Sequence, residues 1–123
     1  MKSYIVGNWK MNFSVGESSV YLHNLTQKIR QYRSVEVIVA PSAIALQPLS
    51  LQVDRKKLRL AAQSANPHDF GAYTGEISFT QLRGIVDYCI IGHSERRQLF
   101  HMSDKDIRAS VAAASNYTDS LHR

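Results

Sequence analysis

A single cysteine, Cys89, stands among the 123 residues. It has no partner for an internal disulfide, and a chain without disulfides suits a reducing cytosol. Long apolar runs are also missing. The most apolar stretches, Val35 to Ala40 and Tyr88 to Gly92, fall far short of the ~20 residues of a membrane span. Met1-Lys2 is followed by only a few apolar residues before Asn8 and Lys10, which is no signal-peptide pattern. No glycine-rich phosphate loop follows a strand pattern. The histidines His23, His68, His93, His101 and His122 have neither paired spacing nor cysteine partners. Neither a metal nor another cofactor is therefore expected.

Basic runs are short. Lysine and arginine number 15 against 10 acidic residues, a formal charge of +5. That balance has two readings: an anionic partner such as a phosphorylated small molecule or nucleic acid, or basic residues scattered over solvated faces. The tightest group, Arg55-Lys56-Lys57 with Arg59 close by, has no interleaved aromatics, so nucleic acid is not the expected partner. A composition of 44% hydrophobic and 20% charged residues is ordinary for a globular protein. The length fits one domain and is too short for two.

Taken in order, Tyr4 to Gly7 reads as a short strand delivering the polar turn Asn8-Trp9-Lys10-Met11-Asn12. From Gly16 to Arg33, apolar Val20, Leu22, Leu25 and Ile29 recur at helical spacing, with Ser14 as cap. Val35 to Ala40 is a β-branched strand stopped by Pro41. Ser42 can cap a segment carrying Ile44, Leu46, Leu49 and Leu51, which Pro48 should shorten or kink. Leu58 to Gln63 is a third strand, and Ser64 to Ser78 a long loop, a length that usually has a job. Thr80 to Val86 reads as a helical turn and Tyr88 to Gly92 as a fourth, buried strand. A short helix follows His93, and Ser103-Asp104-Lys105-Asp106 opens another with Ile107, Val111 and Ala114 on one face. Four strands, each followed by helical sequence, predict an α/β fold with a parallel sheet and right-handed crossovers.

The fourth strand delivers His93 to its C-terminal end, where Ser94-Glu95 supplies a helix start with a capping hydroxyl and a first-turn carboxylate. The positive end of a helix dipole disfavours a second proton on a nearby imidazole. A neutral ring can donate a hydrogen bond to a carbonyl oxygen, although a histidine at a strand end also has a purely structural reading. In βα repeats the functional turns gather at the C-terminal strand ends. That rule places Asn8 and Lys10 beside His93, with Lys10 able to neutralise a phosphate or a developing oxyanion. A solvated turn lysine is the alternative.

Three motifs carry a family resemblance: Gly7-Asn8-Trp9-Lys10-Met11-Asn12, Gly71-Ala72-Tyr73-Thr74-Gly75-Glu76-Ile77-Ser78 and Ile90-Ile91-Gly92-His93-Ser94-Glu95-Arg96-Arg97. They resemble successive motifs of triosephosphate isomerase, in that family's order and spacing, over residues from about Tyr4 to Ala114. The resemblance implies the first four βα units of a TIM (β/α)₈ barrel, an incomplete half-barrel. It also implies the interconversion of dihydroxyacetone phosphate and glyceraldehyde 3-phosphate in glycolysis and gluconeogenesis, in the cytoplasm, without cofactor and by a homodimer. Asn8 and Lys10 would bind the triose phosphate, and His93 would be the neutral electrophile. This family is itself the standard case of a helix terminus lowering a histidine's basicity, so that reading and the resemblance are not independent. Glu95 resembles the active-site carboxylate near the lysine, while Arg96 and Arg97 look structural. Gln63, Thr74 and Gly75 match dimer-interface positions, the last two on a loop that enters a neighbouring subunit.

The pattern departs from the family in two places. Met102 stands where a carboxylate is usual, which puts the local polar network in doubt. The family's general base, a glutamate of the sixth strand, has no counterpart here, and a full barrel takes ~250 residues. Residues 1–115 read as the N-terminal half of the barrel, and 116–123 as a tail unlike the family's fifth strand. One synonymous coding of Asn116 to Arg123, read a base later, gives Ile-Thr-Pro-Ile-Leu-Cys-Ile-Gly, which does resemble that strand. A shifted reading frame near Ser115 is the expectation this raises. Three readings follow: an isomerase by descent that is inactive in this form, a non-enzymatic half-barrel that associates with itself or with a complementary half, and a non-functional product.

Overall fold

The computed structural model describes residues 2–29 and 34–121. In chain order the elements are β1 (Ser3–Asn8), α1 (Val15–Lys28), β2 (Val35–Ala40), α2 (Ala43–Gln52), β3 (Leu58–Ala62), α3 (Phe79–Leu82), β4 (Tyr88–Cys89), α4 (Ser94–Leu99) and α5 (Asp104–Leu121). The strands form one sheet in the order β1-β2-β3-β4. β1 and β2 pair in parallel with Ile5 opposite Val37, as do β2 and β3 with Val39 opposite Leu60. Strand order follows chain order, as expected for successive βα units. Two compact units divide the chain: Met1–Gln63 with Gly84–Tyr88, and Ser64–Arg83 with Cys89–Arg123.

In the first unit, the β-branched run of β2 has the expected bounds, because Pro41 removes the next ladder donor. α1 begins at the predicted cap. The Ser14 hydroxyl accepts from Glu17 N–H at 3.2 Å, and the Glu17 carboxylate accepts from Ser14 N–H at 3.0 Å. Those bonds, from the Ser14 backbone first and its hydroxyl second, hold the Glu17 carboxyl below the usual range. The helix ends at Lys28, where Ile29 turns extended. The rest of the predicted helix, residues 30–33, lies outside the described residues, as do His122 and Arg123 of the tail.

α2 differs from expectation at Pro48. It runs unbroken through Pro48. The ring and the Ile44 carbonyl it leaves without an amide partner both belong to exposed residues, so water can take the donor's place. The buried face is Ala45, Leu46 and Leu49, while Ile44 is 74% and Leu51 85% exposed. Of these, Ala45 and Leu49 join Trp9, Leu22, Val39, Leu58 and Leu60 in the core cluster of this unit. Outside that core, Tyr4, Ile5 and Val6 of β1 are 52–58% exposed.

The basic group is largely compensated. Arg55 and Arg59 meet Asp87 at 3.6 and 3.5 Å, and Arg59 also meets Glu36 at 3.6 Å. Glu36 further accepts from the Tyr88 hydroxyl. Burial first, then this carboxylate, pushes the Tyr88 phenol up to about 12. Paired, solvated arginines fit the scattered-charge reading better than a nucleic-acid face.

In the second unit, Ser78 and Gln81 form a capping box that opens α3, one residue earlier than Thr80 suggested, and Phe79 and Leu82 are buried. α3 ends at Leu82 instead of continuing to Val86. Reciprocal bonds between Ser103 and Asp106 open α5. Its inward residues are Ile107, Ser110 and Ala114, whereas Val111, expected inside, is 49% exposed. The fourth strand is shorter and less buried than predicted. Only Tyr88 and Cys89 pair, and Ile90 to Gly92 leave the ladder half-buried. Gly92 takes φ +71°, a turn of the backbone that ends strand geometry before His93.

Candidate active site

In the first unit the turn after β1 is held by a small set of side-chain bonds. Asn8 Oδ1 accepts from Lys10 N–H at 3.0 Å, and Asn12 Nδ2 donates to the Trp9 carbonyl at 2.9 Å. Lys10 itself has φ +55°, a conformation that costs a β-carbon residue energy and needs support. The support falls on its carbonyl, which accepts from Ser42 Oγ at 3.0 Å and Gln63 Nε2 at 2.8 Å. Gln63 Nε2 also reaches the Ala40 carbonyl at 3.0 Å. One amide following β3 therefore ties down the turn after β1 and the end of β2. Trp9, 8% exposed, anchors the same turn in the core. Asn8, Lys10 and Gln63 are thus brought together, with the Lys10 side chain at the surface.

In the second unit His93 is itself the N-cap of α4, displacing Ser94 from that expected role. Its Nδ1 accepts from Glu95 N–H at 3.2 Å. An imidazole nitrogen pointing back at the first turn can do what a capping hydroxyl does. Ser94 then falls inside the helix. The consequence is chemical as well as structural. A ring whose Nδ1 accepts a hydrogen bond is neutral with its proton on Nε2, so Nε2–H is left as a donor. The Glu95 carboxylate lies 4.0 Å from Nδ1 and is 44% exposed, against 30% for the His93 side chain.

The backbone around His93 is braced from both sides. Arg97 Nε donates to the Gly92 carbonyl at 3.2 Å and its Nη1 meets Asp104 at 3.2 Å. A β-carbon at Gly92 would approach Ile107 Cδ1 to 3.1 Å in a left-handed conformation. We expect Gly92→Ala to cost ~1–2 kcal/mol from the backbone alone, read as a lower urea midpoint. An unchanged midpoint would show that the turn before His93 is not held in this geometry. Cys89 offers no nucleophile beside it, since burial pushes the thiol up to about 12.

Thr74 and Gly75 are exposed on their loop, where Gly75 has φ +86° and Tyr73 stacks on His68 with ring centroids 4.5 Å apart. Among the described residues no three histidine, cysteine or acidic side chains form a metal-holding group. Gln63 as a carbonyl clamp and the Arg97 brace leave no signal in the sequence, and Ser42, expected to cap α2, makes no side-chain cap bond and donates to the Lys10 carbonyl instead. No periodicity marks a side chain that bonds a carbonyl 53 residues away.

A family model described as triosephosphate isomerase matches residues 3–118. The triosephosphate isomerase of Clostridium acetobutylicum is 40% identical over 89% of this chain and 44% of its own length. That of Mesomycoplasma hyopneumoniae is 38% identical over 95% of this chain and 50% of its own. That of Streptococcus mutans is 38% identical over 91% and 45%. The chain spans about half the length of the curated relatives it matches. The four successive strands, each followed by helical sequence, are the first βα units of a TIM barrel. With a matching model over nearly all its residues, the chain belongs to the triosephosphate isomerase family.

Proposed function

We propose that these residues supply the substrate-binding and electrophilic half of a cytoplasmic isomerase that interconverts dihydroxyacetone phosphate and glyceraldehyde 3-phosphate. The observation that carries this is the bond from Glu95 N–H to His93 Nδ1. It leaves Nε2–H to donate to the substrate carbonyl as negative charge develops on oxygen, and to shuttle a proton between the two enediol oxygens. Lys10 offsets negative charge on the substrate, and Asn8 holds the turn from which it projects. Glu95 is kept as the active-site carboxylate that the family resemblance assigns to it. Proton abstraction from carbon falls to a glutamate of the family's sixth strand, which has no counterpart among these residues. Gln63, Thr74 and Gly75 serve the contact between two subunits.

The test is an isomerase assay on the purified chain, alone and mixed with a polypeptide supplying strands five to eight. Alone it should give no turnover above background, because the base and the closing loop provide most of the transition-state stabilisation. The mixture should turn over. Robust activity of the chain alone, abolished by His93→Gln, would overturn this division of labour, and an inactive mixture would count against the complementary half. A second reading is favoured by one observation, the exposure of Tyr4, Ile5 and Val6 along β1. An apolar strand at a sheet edge invites pairing, so a non-enzymatic half-barrel would self-associate. Sedimentation showing mass growth with concentration, together with an inactive mixture, would select it.

A further inference from the structure

A cavity of about 250 Å³ in the second unit is lined by residues including Asn66, Tyr73, Arg96, Phe100, Met102 and Ser110. Two of these side chains carry buried hydrogen-bonding atoms with no partner, Arg96 Nε and Ser110 Oγ. Ser110 is fully buried. The backbone brings to Arg96 a neighbour that offers its Nε no strong acceptor. Met102 N–H donates to the Arg96 carbonyl at 3.0 Å, bringing position 102 to the arginine. A thioether there is at most a weak acceptor and carries no charge. Phe100 covers the guanidinium with its ring centroid 4.7 Å from Cζ.

Each of the cavity's two carboxylates already accepts a hydrogen bond from a neighbour. Glu76 Oε1 accepts from Asn66 Nδ2 at 3.2 Å, and Asp106 Oδ2 from Ser103 N–H at 2.8 Å. Leaving a charged donor buried without an acceptor is costly, and the cost falls away when an anion enters. The remaining features narrow the anion. A guanidinium matches the planar pair of oxygens of a carboxylate. The volume lies below that of drug-sized pockets. Glu76 and Asp106 repel a dianion, and the Phe100 and Met102 walls tolerate a short alkyl group.

We propose that this cavity binds a small free monocarboxylate, of formate to acetate size, with Arg96 and Ser110 as its donors. Calorimetric titration of the full chain with sodium formate, against sodium chloride at equal ionic strength, should give saturable binding. Inorganic phosphate should give none. Met102→Glu places a carboxylate in the cavity from within and should abolish formate binding. Arg96→Gln should weaken it at least tenfold. Because losing that guanidinium can also unfold the unit, Ser110→Ala supplies the milder variant, expected to weaken binding several-fold with the circular dichroism spectrum unchanged. An absence of saturable formate binding would overturn the site. So would formate affinity unchanged in Ser110→Ala and Met102→Glu, or phosphate binding as tightly as formate.

Discussion

Replacing His93 by glutamine should lower kcat of the proposed complemented isomerase by about 100- to 10,000-fold and leave KM within a few-fold. The split follows from the ring's two bonds. Nδ1 is committed to Glu95 N–H, and a glutamine oxygen can accept a hydrogen bond in its place. The side-chain amide can also donate toward the substrate oxygen, so ground-state binding suffers little. What it cannot do is give up its proton and take one back at neutral pH. The loss therefore falls on the step that moves a proton between the enediol oxygens, where interactions stronger in the transition state than in the ground state count. Steady-state kinetics of the mixture check this. A kcat within threefold of the parent would remove His93 from the chemistry, and a KM effect alone would make it a binding residue.

How far this site is legible in the sequence depends on the range of the interactions that make it. His93 at a strand end before a helix start is a local pattern, visible in ten consecutive residues. Hydroxyls are the usual caps, so the local pattern points to Ser94, whereas the imidazole one residue earlier accepts from Glu95 N–H and takes the role. The bounds of β2 and the start of α1 are local too, written in a β-branched run before Pro41 and in the spacing of Ser14 and Glu17. Gln63 is the opposite case. Its bonds to the Lys10 and Ala40 carbonyls exist only once three strand ends are adjacent. The shortness of β4 also depends on tertiary context. Tyr88 to Gly92 has strand composition, but pairing stops at Cys89 and the backbone turns to positive φ at Gly92. Burial on α2 is not written in its sequence for a different reason. Ala43, Ile44, Ala45, Leu46, Leu49 and Leu51 are spread around the helix, so no polar stripe marks the outer face.

That ambiguity makes α2 the place where burial and hydrophobicity separate most sharply. Leu49→Ala should destabilise the chain by about 3–4 kcal/mol, within the range for fully buried leucines. Leu49 has no exposed surface and belongs to a cluster of seven buried residues with Trp9, Leu22, Val39, Ala45, Leu58 and Leu60. A core so small has few side chains able to collapse into the space left behind, and the cavity term adds to the lost transfer energy. Against a typical total of about 5–15 kcal/mol, the loss is large enough to populate unfolded chain. Leu51→Ala deletes the same atoms from a side chain that is 85% exposed. Its effect should stay within about 0.5 kcal/mol. Helix propensity does not confound the pair, because alanine is the better helix former at both positions. Urea denaturation of the two variants beside the parent measures the contrast. Equal midpoints for Leu49→Ala and Leu51→Ala would mean that α2 does not dock on the sheet through Ala45, Leu46 and Leu49. The Ser42 bond that α2's leading turn sends to the Lys10 carbonyl would then lose its support, and with it the geometry of the turn after β1.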